Sequence, residues 1–242
     1  MEEKIKKAAE RIKKSRKLVA FTGAGISVAS GIPPFRGPDG LWSKYDPSCF
    51  DIDYFMAHPR ESWRLIKEIF YGFLQNVEPN PAHYALARLG CPVITQNIDN
   101  LHQRAGSREV VEYHGTAETL VCMSCGKKFR RDEVDFSSEI PSCKYCGGVL
   151  KPDFVFFREP IPKEAFDRSV ELAKECDTML VVGTTGEIMP ASRIPYIAKM
   201  AGAYIIEVNI KPSNFTYEIT DIFLQGKAEE VLPKLVDEVF HA

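Results

Sequence analysis

The sequence predicts an α/β fold: a parallel sheet with helices on both faces, interrupted by one small inserted module. Three observations carry this. Short apolar runs alternate with segments of helical period along most of the chain. Several of these runs end directly in glycine or a polar residue, as buried parallel strands do. Between residues 120 and 152 the rhythm stops, and cysteine, glycine and charge replace it.

The 242 residues suit one large domain or a domain with an insertion. Apolar residues make up 45% and charged residues 26%, enough for a sizeable core under an ordinary surface. A net charge of −2 argues against general binding to nucleic acid or an anionic membrane, though not against a basic substrate tail. No apolar run approaches the ~18–20 residues that span a bilayer. The segment MEEKIKKAAERIKKSRK lacks the apolar centre of a signal peptide. The expectation is a cytoplasmic protein with no membrane partner and no sequence-specific nucleic acid. The oligomeric state stays open.

In chain order, residues 2–16 are predicted helical, with Ile5, Ala8, Ala9 and Ile12 on one face and a solvated Lys/Arg run on the other. Leu18–Thr22 is a short buried strand followed at once by a glycine-rich turn, and a helix is expected to start near Ser27. Residues 59–76 fit a helix begun by Pro59. Asn80 and Pro81 begin another, stopped by Gly90. Residues 92–95 and 110–113 are strand-like. After the insertion, 154–157 is apolar, 163–176 helical, Thr178–Val182 a strand, 190–201 a helix, 203–209 a strand and 227–241 a closing helix.

Five motifs bear on chemistry. The first is GAGISVASGIPPFRG, residues 23–37. Gly23 and Gly25 would let backbone amides approach a phosphate, and a helix starting near Ser27 would offer its positive end. The full dinucleotide fingerprint is not met: Val28 stands three residues after Gly25, and Asp46 does not end an obvious strand. A tight turn without a ligand is the alternative. Pro33, Pro34, Phe35, Arg36 and Gly37 break the helix early, and their Phe–Arg tip suits covering a cofactor. A packed surface loop is the bland reading.

The second is TQNIDNLHQRAG, residues 95–106, directly after a strand. Gln96, Asn97 and Asp99 there suit ribose hydroxyls and a carboxamide, although Asn97 and Asp99 serve equally as helix caps. The third is His114–Gly115, a strand-end histidine able to act as a base near neutral pH. His102 competes for that role, and a hydrogen-bonded structural histidine is the alternative for both. The fourth is Cys122-x-x-Cys125 with Cys143-x-x-Cys146. Residues 126–142, seventeen in all, separate the pairs, and glycine follows each. In a reducing compartment such pairs are metal ligands sooner than disulfides. Four thiolates close a tetrahedron and leave no water position, so the ion is a structural zinc. Cys49, Cys91 and Cys176 are scattered. The fifth is Gly183-Thr184-Thr185 with Asn209, polar ends of two further strands on the same sheet edge, or simple turn chemistry.

In this order, GAGISVASGIPPFRG, TQNIDNLHQRAG, YHG, the two CxxC pairs, GTT and VN resemble the signatures of the sirtuins, over roughly residues 17–230. The resemblance implies a Rossmann-like NAD domain (1–44, 80–118 and 153–242), a helical module (45–79) and a zinc-ribbon module (119–152). It implies that Gly23, Ala24, Gly25 and Ser27 line the phosphate and ribose site. Phe35 and Arg36 belong to the cofactor loop. Gln96, Asn97, Ile98 and Asp99 hold the nicotinamide end, Asp99 facing the carboxamide. His114 is the general base, and Gly183, Thr184, Thr185, Asn209 and Ala228 lie along the adenosine half. The implied activity is NAD-dependent protein-lysine deacetylation: the acyl oxygen of acyl-lysine attacks the nicotinamide ribose, nicotinamide leaves, and O-acyl-ADP-ribose and free lysine follow.

Three departures from the family matter. The substrate-binding segment, commonly ending Phe-Gly-Glu, reads Phe157-Arg158-Glu159 here. Val155, Phe156, Phe157 and Arg158 are the substrate-contacting candidates. Residues 154–157 are expected to be extended and to pair with the substrate backbone by adding a strand. Arg158 then either repels basic residues flanking the acyl-lysine or simply pairs with Glu159 or another surface acid. Second, the usual Gly-Thr-Ser is Gly-Thr-Thr. Third, Ile66 and Ile69 stand about where one subgroup carries the Tyr and Arg that read acidic acyl groups, so an uncharged acyl is expected. Protein mono-ADP-ribosyl transfer, left open by Arg158, is the second reading. A non-enzymatic zinc-ribbon binding module is the third.

Overall fold

The structure, a computed structural model, describes residues 1–34, 40–72 and 76–241. Helix α1 (Glu2–Lys14) buries Ile5, Ala8, Ala9 and Ile12, the stripe selected by its 3.6-residue period. It stops two residues before the expected end because Ser15 turns out to donate to Asp177 Oδ1 (2.5 Å). Strand β1 (Leu18–Thr22) follows, then Gly23. The helix expected near Ser27 is a 3-10 turn, Ala24–Ser30, closed by Gly31 at φ 92°. Pro33 and Pro34 just beyond leave no room for a longer α-helix.

Helix α2 (Leu41–Lys44), a 3-10 turn at Pro47–Phe50, α3 (Ile52–Ala57) and α4 (Pro59–Ile66) make the helical module. Pro59 does start α4, but the helix gives way to a π turn, Lys67–Tyr71. Ile69, Phe70 and Tyr71 are all buried there, and three consecutive residues do not fit one stripe of a regular α-helix. Asn80 caps α5 (Pro81–Leu89) by accepting from the Ala82 amide (2.9 Å), and Gly90 ends it at φ 68°. The chain continues through β2 (Val93–Thr95), α6 (Leu101–Arg104), β3 (Val110–Glu112), β4 (Gly115–Cys122), β5 (Lys128–Arg130) and β6 (Leu150–Phe154). It closes with α7 (Lys163–Glu175), β7 (Thr178–Val182), α8 (Arg193–Met200), β8 (Tyr204–Asn209), β9 (Ile222–Gln225) and α9 (Ala228–Phe240).

Six strands form one parallel sheet in the order β3-β2-β1-β7-β8-β9. Helices α1, α5 and α9 pack on one face, and α7 and α8 on the other. The order reverses between β1 and β7, and a sheet of this kind opens a ligand crevice at the carboxyl ends of those strands. A second sheet, β5-β4-β6, is antiparallel and was not foreseen strand by strand. Its core is continuous with the helical module: Phe55, Trp63 and Phe70 pack with Leu120, Leu150 and Phe154. Trp63 Nε1 donates to the Leu150 carbonyl (2.8 Å), stitching the two modules into one small domain. Strands β4 and β6 straddle the limits 118/119 and 152/153, so the crossover to the large sheet lies within strands. Among the described residues, no helix is long and apolar enough to cross a membrane.

Candidate active site

The carboxyl ends of β1, β2 and β7 bring the first, second and fifth motifs together. The Gly23 amide donates to the Val182 carbonyl (3.0 Å) and the Gly25 amide to the Gly183 carbonyl (2.8 Å). A Cβ on Gly25 would lie 2.7 Å from Gly183 Cα, and one on Gly23 2.8 Å from Thr184 Cβ. Glycine is therefore required here by the close approach of two loops. The amides of Gly23 and Gly25 themselves are taken up by that contact.

Beside this junction, the side chains of Asn97, Ser27 and Asp99 form a network. Asn97 Nδ2 donates to the Gly23 carbonyl (3.2 Å) and to Ser27 Oγ (3.1 Å). The Ser27 hydroxyl donates to Asp99 Oδ2 (2.6 Å), and Asp99 Oδ1 accepts from the Leu101 amide (3.0 Å). Asp99 thus caps α6 and holds Ser27 at once, so both readings of that residue hold. Burial pushes its carboxyl above the usual range, against Ser27 and the Leu101 amide, which favour the ionised form. Ala24, Ser27, Asn97, Ile98 and Asp99 line a cavity of about 190 Å³. Ile69 and Phe70 of the helical module close its far side, while Ile66 lies wholly in the core.

His114 ends the run after β3. Its Nδ1 is 3.0 Å from the Gln96 carbonyl. A carbonyl only accepts, so Nδ1 carries the proton and Nε2 keeps its lone pair. Burial pushes the imidazole below its usual value, against the Gln96 carbonyl, so it is neutral near pH 7. Gln96 also donates through Nε2 to Thr184 Oγ1 (3.1 Å), and Asn209 Nδ2 donates to the Thr184 carbonyl (2.9 Å). Thr185 accepts from the Asn214 amide (3.0 Å), and Ala228 begins α9. Gln96, Gly183, Thr184, Thr185 and Asn209 thereby share one sheet edge. Phe35 and Arg36 lie outside the described residues.

His102, the rival base, is 1% exposed. Its Nε2 bonds Thr22 Oγ1 (2.9 Å), and its ring stands 4.9 Å from that of His83, which is also buried. Desolvation lowers His83 to about 4 and His102 to about 3, with His83 adding to the latter. Both are neutral in the folded protein, while an unfolded chain titrates them near 6.5. Their contribution to stability is complete above that value and is lost as pH falls toward 4 and 3. At pH 5 each should cost about 2 kcal/mol. The thermal midpoint should therefore drop between pH 7.5 and 5. His102→Gln, whose amide can still donate to Thr22, should show roughly half the histidine-linked drop. Equal pH sensitivity in variant and wild type would refute this.

The substrate segment departs from expectation. The strand β6 ends at Phe154, and beyond it only Phe157 pairs, in a parallel bridge with Asp51. The amides of Val155 and Phe157 donate to the His114 and Phe50 carbonyls (2.8 Å each), and the Phe156 amide to Glu159 Oε2 (2.7 Å). All three amides of 155–157 are thus bonded within the chain, so a substrate strand would have to pair through carbonyls or displace one of these bonds. Arg158 adopts φ 70°, the left-handed region that explains why glycine suits this position. Its guanidinium grips Asp51 and Asp53 at 2.5 Å, not Glu159. The bland reading of Arg158 is the observed one. Arg158→Gly should leave stability nearly unchanged, because relieved strain of about 1 kcal/mol offsets two exposed ion pairs. Arg158→Ala loses the pairs and keeps the strain, so its thermal midpoint should lie about 2–4 °C below that of the glycine variant. Equal midpoints would show that the conformation costs nothing.

Away from the cleft, Cys122 ends β4 and Cys125 follows on its turn, with Cys143 and Cys146 on a matching knuckle. Gly126 and Gly147 close the two knuckles at φ 70° and 74°. The Sγ atoms of Cys122 and Cys146 are 3.5 Å apart, those of Cys125 and Cys143 3.8 Å, and all four lie within 4.8 Å of one another. A zinc tetrahedron with ~2.3 Å bonds has edges of ~3.8 Å. The Cys125 amide, ahead of that of Ser124, lowers the Cys122 thiol to about 6. Although the Gly148 amide stabilises its thiolate, hydrogen bonds with the other sulfurs push Cys146 up to about 12. Only a cation lets all four ionise together, and the set fits one zinc with no open position. Along the eight residues of β4 the cluster stands roughly 20 Å from Gly115.

Residues 23–190 match the Sir2 family. The chain belongs to that family. This Sir2 chain is 49% identical over 249 residues to NAD-dependent protein deacylase 2 of Archaeoglobus fulgidus, covering 99% of this chain and 97% of the relative. It is 48% identical over 240 residues to NAD-dependent protein deacylase 2 of Pyrobaculum aerophilum, covering 96% and 94%. A Sir2 homologue solved with NAD superposes with a TM-score of 0.89 at 38% identity, over 96% of this chain and 93% of the other. A Sir2 enzyme with a p53 peptide and NAD+ gives 0.88 at 37% identity, over 97% and 98%.

Several residues around the site of this Sir2 chain escaped the sequence reading. His83 reaches Ser27 Oγ from behind (3.4 Å) while its Nδ1 accepts from the Asn80 amide (3.2 Å). Tyr45 donates to Glu68 (2.8 Å) across the cavity mouth, next to Lys44. The His83–Ser27 and Tyr45–Glu68 contacts join residues far apart in sequence and leave no motif. Lys151 did leave a signal: a lysine inside the apolar run before Phe154.

Proposed function

We propose that this Sir2 chain is an NAD-dependent protein-lysine deacylase acting on acetyl or another uncharged acyl group. The observation that carries the reading is the placement of the Asn97–Ser27–Asp99 network and His114 at the reversal point of the sheet. The near-full-length identity to NAD-dependent protein deacylases supports it. NAD, acyl-lysine and water give nicotinamide, lysine and O-acyl-ADP-ribose. Bound NAD supplies the ribose carbon that accepts the acyl oxygen, and nicotinamide as the leaving group.

The chain's own groups do the rest. Asp99, Asn97 and Ile98 face the carboxamide, which both donates and accepts and so suits either protonation state of Asp99. His114 receives a ribose hydroxyl proton at Nε2, the nitrogen that the Gln96 contact leaves basic. Gly23, Ala24, Gly25 and Ser27 border the ribose and phosphates, and Gln96 stands with Asn97 at the nicotinamide end. Gly183, Thr184, Thr185, Asn209 and Ala228 run along the adenosine half, and Phe35 and Arg36, outside the described residues, are assigned to the cofactor loop. Val155, Phe156, Phe157 and Arg158 border the acyl-lysine. Ile66 and Ile69, about where one subgroup of the family carries the Tyr and Arg that read acidic acyl groups, favour an uncharged acyl group. We assign 1–44, 80–118 and 153–242 to the NAD domain, 45–79 to the helical module and 119–152 to the zinc ribbon. Two CxxC pairs used as zinc ligands, with Cys49, Cys91 and Cys176 left as scattered thiols, suit a reducing compartment, the cytoplasm. ADP-ribosyl transfer loses its support, because Arg158 is tied to Asp51 and Asp53.

The test is incubation with NAD and an acetyl-lysine peptide. Nicotinamide, free-lysine peptide and O-acetyl-ADP-ribose should appear in equal amounts. Nicotinamide release that leaves the peptide acetylated and ADP-ribose on protein would overturn the reading.

A further inference from the structure

Lys151 is 3% exposed, though it carries an ammonium on β6. Its Nζ donates to the carbonyls of Pro152 (2.9 Å) and Phe154 (2.8 Å), and meets Glu159 Oε2 at 2.9 Å. It lies 4.2 Å from the centre of the Phe156 ring. The same Glu159 oxygen accepts from the Phe156 amide (2.7 Å), and the Glu159 amide returns a bond to the Phe156 carbonyl (3.0 Å). One carboxylate oxygen thus joins a buried ammonium to the backbone that continues from β6 to Arg158.

A buried ammonium persists only where it is paired and hydrogen-bonded. A buried ion pair is weak evidence for stability, and its best-attested use is to select one arrangement among several. Here the arrangement selected is that of residues 155–157. The Val155 amide is anchored to His114 on one side and the Phe157 amide to Phe50 on the other (2.8 Å each). Between those anchors, among the described residues, only Glu159 holds the Phe156 amide, and only Lys151 gives Glu159 a buried counter-charge. We propose that Lys151 and Glu159 are positioning residues for the acyl-lysine peptide, locking segment 155–157 into its binding shape next to His114. The proposal rests on the reading of Val155–Arg158 as the peptide-binding segment.

Lys151→Met, Glu159→Gln and the double variant test it, by steady-state kinetics on an acetyl-lysine peptide at saturating NAD and the converse. Methionine keeps the length of the lysine stem against Phe156. Each single change should raise the peptide KM about tenfold, with kcat and the NAD KM within about twofold of wild type. The double variant should be no worse than the worse single, since both act on one link. It also leaves no unpaired buried charge, so it serves if a single variant does not fold. A merely structural pair would lower the thermal midpoint and the kcat while the peptide KM stayed put. A folded double variant with a wild-type peptide KM overturns the proposal, as does a parallel loss of NAD affinity. Failure of the deacylase reading is distinguishable, because the wild type would then leave the peptide acetylated.

Discussion

His114→Ala should cut deacylation about 10²–10⁴-fold, the usual worth of a general base, while NAD affinity and the thermal midpoint stay near wild type. Among the described residues, the ring makes one hydrogen bond, through Nδ1 to the Gln96 carbonyl, and its loss leaves no buried charge. Gln96 keeps its own bond to Thr184, so the adenosine side of the crevice is undisturbed. The pH profile gives an independent check. Burial lowers the His114 pKa, so the base is unprotonated above it. The acid limb of kcat/KM should therefore lie below 6.5, the ordinary imidazole value. His102→Gln is the control: its ring touches Thr22 and His83 and is not among the residues that line the cavity beside Asp99. Near-full turnover in His114→Ala, with loss in His102→Gln, would reverse the assignment.

Removing zinc should abolish activity by unfolding the small domain, without any metal in the cleft. Metal binding to four thiolates is folding free energy, about 10–16 kcal/mol apparent in isolated zinc peptides. Cys122 and Cys143 are 1% and 3% exposed and belong to the core shared with Trp63, Leu120 and Leu150. Loss of the ion therefore should propagate through the Trp63–Leu150 hydrogen bond into the helical module that walls the cavity. Metal analysis should find one zinc per chain. Chelation should change tryptophan fluorescence in step with activity, a change that Trp42→Phe should leave in place, and added zinc should restore both. Cys125→Ser should reproduce the chelated state. Full activity in a metal-free protein, or a zinc held in the cleft, would refute this account.

The zinc tetrad and the strand-to-loop motifs were readable because each packs its chemistry into a few adjacent residues. Cys122, Cys125, Cys143 and Cys146 need only two tight knuckles, and Gly126 and Gly147 mark them. Helix α5 was readable for the same reason: its cap, first-turn proline and terminal glycine are local signals. The β4–β5–β6 sheet was not. Its strands are short, and glycines and cysteines needed for the knuckles interrupt the alternation on which strand recognition depends.

What the sequence by itself determined was the set of groups and their order: the parallel α/β sheet, the zinc ligands, and polar residues at strand ends. Those follow from side-chain period and from spacing, which short-range physics controls. Only the tertiary structure decided what each group is free to do. The glycine amides at Gly23 and Gly25 proved to be spent on the β7 loop. His114 was separated from His102 by which ring faces the crevice and which is sealed behind β1. Arg158 was drawn to Asp51 and Asp53, more than a hundred residues away in the chain. Hydrogen bonds saturate, and burial depends on every element packed nearby. Which donor is already used, and which ring loses its water, is therefore settled by contacts that no local pattern encodes.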